Sequence, residues 1–367
     1  MEPLGIGIVG TGNIAGGYAR DIPTHPQVRL VAATDIDPAR AAAFGEAHGC
    51  RIHASLDDLL ADPAVDIVVN LTVHQAHVAV TRRALEAGRH VYSEKPMALA
   101  ATEARDLIAT AERHRVRLGC APATFLGEAQ QTAAAWIRDD RLGTIRAVYA
   151  DVSHGRIETW HPSPEGFYDV GVLVDVAVYP LTLVTTMVGR ATSVRAWGWD
   201  LLRDRVTIAG TPFRIGSPDL IVAAIELEGG AVLRLTASFY VGRPTKHRGG
   251  LEFHGDAASL ALGNFQDFDA AVEVGPYDGE YAPVPYVREP FAGIAWGRGV
   301  ADLASAIAED RPHRASAEQA AHVVDILEAA RASMAADGHR IDVGSTFPAP
   351  ALMPWATLPE AEPAGGG

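Results

Sequence analysis

Residues 4–15 read Leu-Gly-Ile-Gly-Ile-Val-Gly-Thr-Gly-Asn-Ile-Ala, and this stretch decides the fold. Leu4 to Val9 is short, apolar and β-branched, the pattern of a buried parallel strand. Gly10, Gly12 and Ala15 then follow the G-x-G-x-x-(G/A) spacing, with a helix expected from near Asn13. Gly10 permits a tight turn, and Gly12 lets the backbone approach a pyrophosphate. Ala15 allows close helix–strand packing, while the helix start at Asn13 and Ile14 supplies amide donors and a favourable dipole. A second strand, Arg29 to Thr34, ends in Asp35, about twenty residues past the motif, where a carboxylate binds a ribose. That carboxylate accepts from a 2′-hydroxyl and repels a 2′-phosphate, so NAD is favoured over NADP. Arg40, one helix turn on, is close enough to offset the repulsion.

Outward from this motif the chain alternates. Helices are expected at Ala39 to His48 and from Ser55, an N-cap with Asp58 in the capping-box position. Val65 to Leu71 is a third buried strand, His77 to Ala87 a helix closed by Gly88, and His90 to Tyr92 another strand. Thr102 to His114 and Arg117 to Ala121 complete the series. Such alternation means a doubly wound parallel sheet, which we assign to residues 1–122. The strand at His90 runs into Glu94-Lys95-Pro96. A lysine at the carboxyl end of a parallel strand points into the ligand crevice, which makes Lys95 the first catalytic candidate. Pro96 removes a backbone donor and permits a cis peptide, either of which fixes the turn. Thr72 to His77 occupies the corresponding end of the preceding strand, so Thr72, His74 and His77 are expected at the cofactor. His74 and His77 lack a third ligand of suitable spacing, and no metal is expected.

Composition narrows the function. The 367 residues carry a formal charge of −14, unsuited to a phosphate backbone, so no nucleic-acid partner is expected. Cys50 and Cys120 fit no metal or disulfide pattern, and a reducing cytoplasm is expected. No secretion signal is expected before the first strand. No apolar run reaches the roughly 20 residues of a membrane span, so no membrane partner is expected.

After Gly127 the pattern changes. A helix, Glu128 to Asp140, leads to strands at Thr144 to Ser153, Thr192 to Trp197, Leu220 to Leu227, Ala231 to Phe239 and Gly250 to His254. Glu228-Gly229-Gly230 reads as a hairpin turn, and strands so joined form an antiparallel sheet with one face free for packing. Two closing helices, Gly299 to Asp310 and Ser316 to Asp337, follow. Residues 123–345 are thus an α+β domain, and 346–367 an extended or disordered tail.

These residues together resemble the glucose–fructose oxidoreductase / inositol dehydrogenase / rhizopine-catabolism (Gfo/Idh/MocA) superfamily. The resemblance rests on Gly10 to Ala15, Asp35, Thr72 to His77, Ala84 to Val91 and Glu94-Lys95-Pro96, and extends over residues 4 to 340. It implies a Rossmann domain, then an α+β domain whose large sheet forms a dimer or tetramer interface. It also implies cofactor contacts from Gly10, Gly12, Asn13, Ile14, Asp35, Thr72, His74, His77, Glu94 and Lys95. The stretch Gly171 to Thr182 matches the substrate-side helix, with Asp175, Tyr179 and Thr182 on one face. Tyr179 stands where members acting on sugars and dihydrodiols carry a catalytic tyrosine. Lys95 and Tyr179 would then bind the alcohol oxygen jointly, the ammonium lowering the phenol's pKa, with Asp175 orienting them. His154, Trp160, His161 and Phe167 are candidate substrate contacts. Three departures matter: the glycine run is reduced to Gly171, Ala177 replaces a glycine, and Pro180 should kink or restart the helix.

The expected activity is an NAD-dependent dehydrogenase acting on a secondary alcohol of a sugar, sugar derivative or cyclic polyol. Two alternatives stay open within the resemblance: glycoside cleavage through transient oxidation by held NAD, and a non-enzymatic NAD sensor.

Overall fold

The structure, a computed structural model, describes residues 2–242, 245 and 249–358. Its first sheet holds β1 (Leu4–Val9), β2 (Val28–Thr34), β3 (Arg51–Ile52), β4 (Ile67–Asn70), β5 (His90–Ser93) and β6 (Leu118–Cys120). All pairings are parallel, in the order β3-β2-β1-β4-β5-β6. The order reverses between β1 and β4, and ligands bind beyond the carboxyl ends of strands at such a switch point. The connecting helices are α1 (Ala15–Asp21), α2 (Pro38–His48), α3 (Leu56–Ala61), α4 (His77–Glu86) and α5 (Ala101–His114). Strand β4 is buried at every residue, as a sheet covered on both faces requires.

The second sheet has nine strands: β7 (Ile145–Ser153), β8 (Ala191–Trp199), β11 (Leu220–Leu227), β12 (Val232–Ser238), β13 (Gly250–Gly255), β14 (Ala258–Leu262), β15 (Val272–Pro276), β16 (Ala282–Pro283) and β17 (Ile341–Asp342). Between β8 and β11 the short hairpin β9 (Asp204–Val206) and β10 (Pro212–Arg214) forms a separate arm. The sheet is antiparallel except where β7 meets β12. Sequence analysis did not foresee β14 to β16 or the arm, all short and interrupted by polar turns. One face packs against α6 (Glu128–Arg138), α8 (Val178–Met187) and α10 (Ala317–Ala335). Alternation sets that face: Ile221, Ala223, Ile225 and Leu227 of β11 are buried while the residues between them are not. The opposite face carries exposed Tyr149, Trp197, Trp199 and Val232, with Arg234 paired to Asp151. Helix α9 (Arg298–Ala308) and α10 return to the first sheet, touching β6 and α5.

One expectation needs correction. The helical run Glu165–Met187 is long and apolar enough to cross a membrane by length and composition, although none was read there. It is almost wholly buried, so its apolarity belongs to the core. The tail expected to be extended or disordered has no helix or strand from residue 346 through 358, and this part is docked on the body of the protein. Arg138 donates to the Pro350 carbonyl, Arg314 to those of Ala351 and Leu352, and Trp355 stacks under Arg288. Residues 359–367 lie outside the described residues.

Candidate active site

The first element of the site is the turn after β1. Gly10 has φ +94°, and a Cβ there would fall 2.8 Å from the Leu71 carbonyl, so only glycine lets β1 and β4 end side by side. A Cβ on Gly12 would meet nothing within 4 Å. Asn13 is exposed and Ile14 half-buried beside this open surface. At the end of β2, Asp35 accepts from the Thr11 amide at 2.7 Å and hydroxyl at 3.1 Å, and from the Asp37 amide at 2.9 Å. Burial pushes its carboxyl up, but these bonds and the Arg40 guanidinium, 3.7 Å away, hold it below the usual carboxylate range. An open backbone approach above Gly12 and an ionised carboxylate across from it fit the pyrophosphate and ribose of a dinucleotide.

The turn after β4 is built by a residue that sequence reading passed over. Buried Asn70 donates to the His77 carbonyl and to Thr81, and accepts from the Thr72 amide and hydroxyl. Thr72 and His77 therefore serve the turn itself. The His77 ring lies between the Pro96 carbonyl (Nδ1, 2.7 Å) and the Thr72 carbonyl (Nε2, 3.0 Å), tying the β4 turn to the Lys95-Pro96 turn. The Lys95–Pro96 peptide is cis. His74 stands 5.8 Å from His77, ring to ring. Burial, reinforced by Lys95 and His77, pushes its pKa down to about 4, so it is a neutral imidazole facing Lys95 and Asp175.

The structure brings Lys95, Asp175 and Tyr179 together. Lys95 Nζ donates to the Asp175 carbonyl at 2.6 Å and to its carboxylate at 3.1 Å, and lies 5.1 Å from the Tyr179 ring centroid. The local fold explains the carbonyl contact. Gly171, with φ +79°, breaks the helix between α7 (Glu165–Val172) and the residues that follow, and Leu173–Ala177 forms a π turn. In a π turn the carbonyl of residue i accepts from residue i+5, which for Asp175 is Pro180, with no N–H to give. Lys95 takes its place. Helix α8 starts at Val178, with Pro180 in its first turn, and the Asp175 carbonyl accepts from Lys95 Nζ.

Electrostatics correct one expectation. Burial pushes the Tyr179 pKa up to about 12, with Glu94 and Asp175 adding to it; Lys95 pulls the other way and does not prevail. Tyr179 is therefore a neutral phenol. Burial alone would disfavour the Lys95 ammonium, but Asp175, Tyr179 and Glu94 outweigh it and raise its pKa above the ordinary value.

A small cavity opens beside this group, lined by Tyr18, Glu94, Lys95, Thr124, Tyr179 and Trp296 among others. Glu94, expected at the cofactor, is buried: Oε1 accepts from the Tyr18 hydroxyl at 2.7 Å and Oε2 from the Lys95 amide at 3.0 Å. Trp296 packs on Gly17 of α1, and Asp21 anchors the residues just before α9 by accepting from the Gly297 amide at 2.6 Å. Neither Thr124 nor Trp296 has a motif around it, so local sequence carried no signal for either.

The aromatic candidates form a group of their own. His154 lies 5.3 Å from Trp160, and His161 lies 5.7 Å from Trp160 and 4.9 Å from Phe167. Their loop is pinned at its base by the buried network of Glu158, Tyr168, Arg205 and Asp219. Arg205, fully buried on the arm, bonds Glu158 at 2.8 Å, the Tyr168 hydroxyl at 2.8 Å and Asp219 at 2.5 Å.

Comparison with known proteins agrees with this geometry. A family model described as the oxidoreductase family, NAD-binding Rossmann fold (GFO_IDH_MocA), matches residues 4–121, and the GFO/IDH/MocA C-terminal domain matches residues 130–261. dTDP-3,4-didehydro-2,6-dideoxy-alpha-D-glucose 3-reductase of Streptomyces antibioticus is 34% identical over 212 residues, which cover 55% of this chain and 61% of the reductase. The NADP+-dependent D-xylose 1-dehydrogenase of Hypocrea jecorina is 30% identical over 200 residues, 48% of this chain and 51% of that enzyme. Levoglucosan dehydrogenase, solved with NADH and L-sorbose, shares the fold with a TM-score of 0.82 at 20% identity, over 94% of this chain and 100% of that one. With both halves of the chain matched and the crevice, the lysine turn and the second sheet in place, the chain belongs to the Gfo/Idh/MocA family of oxidoreductases.

Proposed function

We propose that this protein is an NAD-dependent oxidoreductase acting on a secondary alcohol of a sugar, sugar derivative or cyclic polyol. The convergence of Lys95, Asp175 and Tyr179 at the end of β5, beside the crevice of the first sheet, carries the reading. Gly10, Gly12 and Asp35 would hold the dinucleotide, which when bound supplies the hydride acceptor or donor. Asp35 favours NAD. The ammonium and the phenol both present protons to a substrate oxygen: they stabilise an oxyanion as a carbonyl is reduced and yield it a proton. In the oxidative direction the alcohol proton passes to the same group, with Asp175 and neutral His74 as its acceptors. His154, Trp160, His161 and Phe167 offer aromatic faces to sugar C–H surfaces. The relatives named above act on sugars, which supports this substrate class. The face bearing Trp197 and Trp199 we assign to a homodimer or homotetramer interface, and the free thiols of Cys50 and Cys120 suit the cytoplasm.

The test is NADH fluorescence between about pH 7 and 9 over monosaccharides, glycosides and inositols, for wild type, Lys95→Ala and Tyr179→Phe, and with NADP. Turnover of one sugar class, lost in Lys95→Ala, is the expected result. Cofactor binding without net turnover of any alcohol would instead favour glycoside cleavage by transient oxidation, or sensing.

A further inference from the structure

Thr124 lies in the short connection between β6 and α6 and is only 5% exposed. The backbone around it is satisfied, the Leu126 amide donating to Ala123 and the Gly127 amide to Thr124 itself. Its side chain is not. Oγ1 is sealed from solvent and meets no hydrogen-bond partner among the described residues. A buried hydroxyl left unpaired is destabilising, and folded proteins keep few of them. Gln130 and His254 also hold an unpaired atom, but neither lines the cavity beside Lys95; Thr124 does.

Tyr18, Glu94 and Lys95, which also line that cavity, have partners of their own. Tyr18 donates to Glu94, the second Glu94 oxygen takes the Lys95 amide, and Lys95 Nζ holds Asp175. Phe268 and Trp296 close the wall with apolar surface. A polyhydroxylated ring whose reacting carbon lies at Lys95 and Tyr179 must place a neighbouring hydroxyl against this wall. A threonine hydroxyl both donates and accepts, so it can pair with a sugar hydroxyl of either polarity.

We propose that Thr124 is a specificity-determining residue, its hydroxyl turning about the Cα–Cβ bond into the cavity to pair with a ring hydroxyl near the reacting carbon of a sugar or polyol. The proposal rests on the hydride-transfer reading for where the substrate sits. It explains a preference for hydroxylated over deoxygenated rings, because a site built to pair a hydroxyl loses that bond when the hydroxyl is absent.

The experiment compares wild type, Thr124→Val and Thr124→Ser. Glucose is paired with 2-, 3- and 6-deoxyglucose, and myo-inositol with a deoxyinositol. Turnover is measured directly, and binding by calorimetry on NAD-loaded protein in a Lys95→Ala background. Thr124→Val should bind the parent ring about tenfold more weakly, equivalent to about 1.4 kcal/mol. Thr124→Ser should restore it, and against one deoxy analogue Val and wild type should be equal. The melting temperature should hold or rise, since the orphan hydroxyl is gone. Unchanged affinity in Thr124→Val, or equal weakening toward every parent and deoxy ring, overturns the proposal. Sugar binding that depends on Thr124 without turnover in wild type would uphold Thr124 and end the hydride-transfer reading. Turnover indifferent to Thr124 would do the reverse, and a panel in which no ring binds would end both.

Discussion

Lys95 and Asp175 are joined twice, through the carbonyl at 2.6 Å and the carboxylate at 3.1 Å, and the two contacts separate position from charge. The carbonyl fixes where the ammonium sits. The carboxylate is the largest of the groups that outweigh burial and hold the lysine's pKa high. Asp175→Asn keeps the first and removes the second, so burial should then pull the Lys95 pKa down. The expected outcome is a kcat loss of about 10–100-fold, with the alkaline limb of the pH–rate profile moved toward neutrality. A variant profile superimposable on wild type would show that Asp175 acts by position alone.

Tyr179 carries a second prediction, in which the sign matters. Burial pushes its pKa up to about 12, above the ordinary value near 10, so the phenol keeps its proton well into the alkaline range. Carbonyl reduction should therefore show no limb assignable to tyrosine below about pH 11, and Tyr179→Phe should lower kcat about 10–100-fold while preserving the profile's shape. A wild-type limb near pH 7 that vanishes in Tyr179→Phe would mean that bound cofactor lowers this pKa.

Apart from the two-residue β3, the alternation through Cys120 was legible because its strands are continuous apolar runs and several helices carry local end signals, such as Asp37 capping α2 and Gly49 closing it at φ +66°. Lys95 and Tyr179 were legible because their motifs are local too. The pairing of Lys95 with the Asp175 carbonyl was not: it depends on a π turn, and no side-chain pattern distinguishes that turn from an α-helical one. Thr124, Trp296 and Arg205 were hidden for the same reason, since burial and partners come from segments distant in sequence. The ammonium's influence on Tyr179 was read with the right sign, but burial and Glu94, which decide the net direction, cannot be weighed before the fold is known.

The proposed preference for NAD rests on Asp35 and Arg40. The carboxylate is braced by Thr11 and Asp37, while Arg40 is half exposed and bound only at its edge. Asp35→Ser removes the repulsion toward a 2′-phosphate and frees Arg40 to meet it. The ratio of kcat/KM for NADP over NAD should rise at least about tenfold, corresponding to 1.4 kcal/mol. Loss of Arg40 as well should reverse most of that gain, and an unmoved ratio in Asp35→Ser would locate discrimination elsewhere.

Arg205 is the single cation of a buried group that also holds the Glu158 and Asp219 carboxylates. Removing it leaves both charges uncompensated, a change that costs about 3–5 kcal/mol in buried pairs. Arg205→Met should lower the urea midpoint accordingly. Tyr168→Phe, which removes only the hydroxyl shared by Arg205, Glu158 and the Ile157 amide, should cost about 1–3 kcal/mol. Because the same residues pin the loop of Trp160 and His161, Tyr168→Phe should also raise the sugar KM more than it lowers kcat. Equal stability of all three proteins would show the network to be dispensable.

His322 makes the stability depend on pH. Its Nε2 accepts from the Ala191 amide at 2.9 Å, which requires an unprotonated nitrogen, and Nδ1 pairs with Ser345 at 2.8 Å. Burial pushes its pKa down to about 4; Asp325 opposes this and Arg190 assists. Between about pH 6.5 and 4 the unfolded chain then binds more protons than the folded one, so stability rises with pH through that window and is lost as pH falls. At 1.36 kcal/mol per unit the loss is on the order of 2–3 kcal/mol, and His74 adds to it with the same sign. His322→Gln keeps an acceptor for Ala191 and a donor for Ser345 without a titrating group. Its unfolding free energy, measured by urea titration at pH 4.5 and 7, should change less between the two than that of wild type. If both proteins lose the same stability on acidification, the imidazole is not the proton's destination, and His74→Asn would then have to account for the slope.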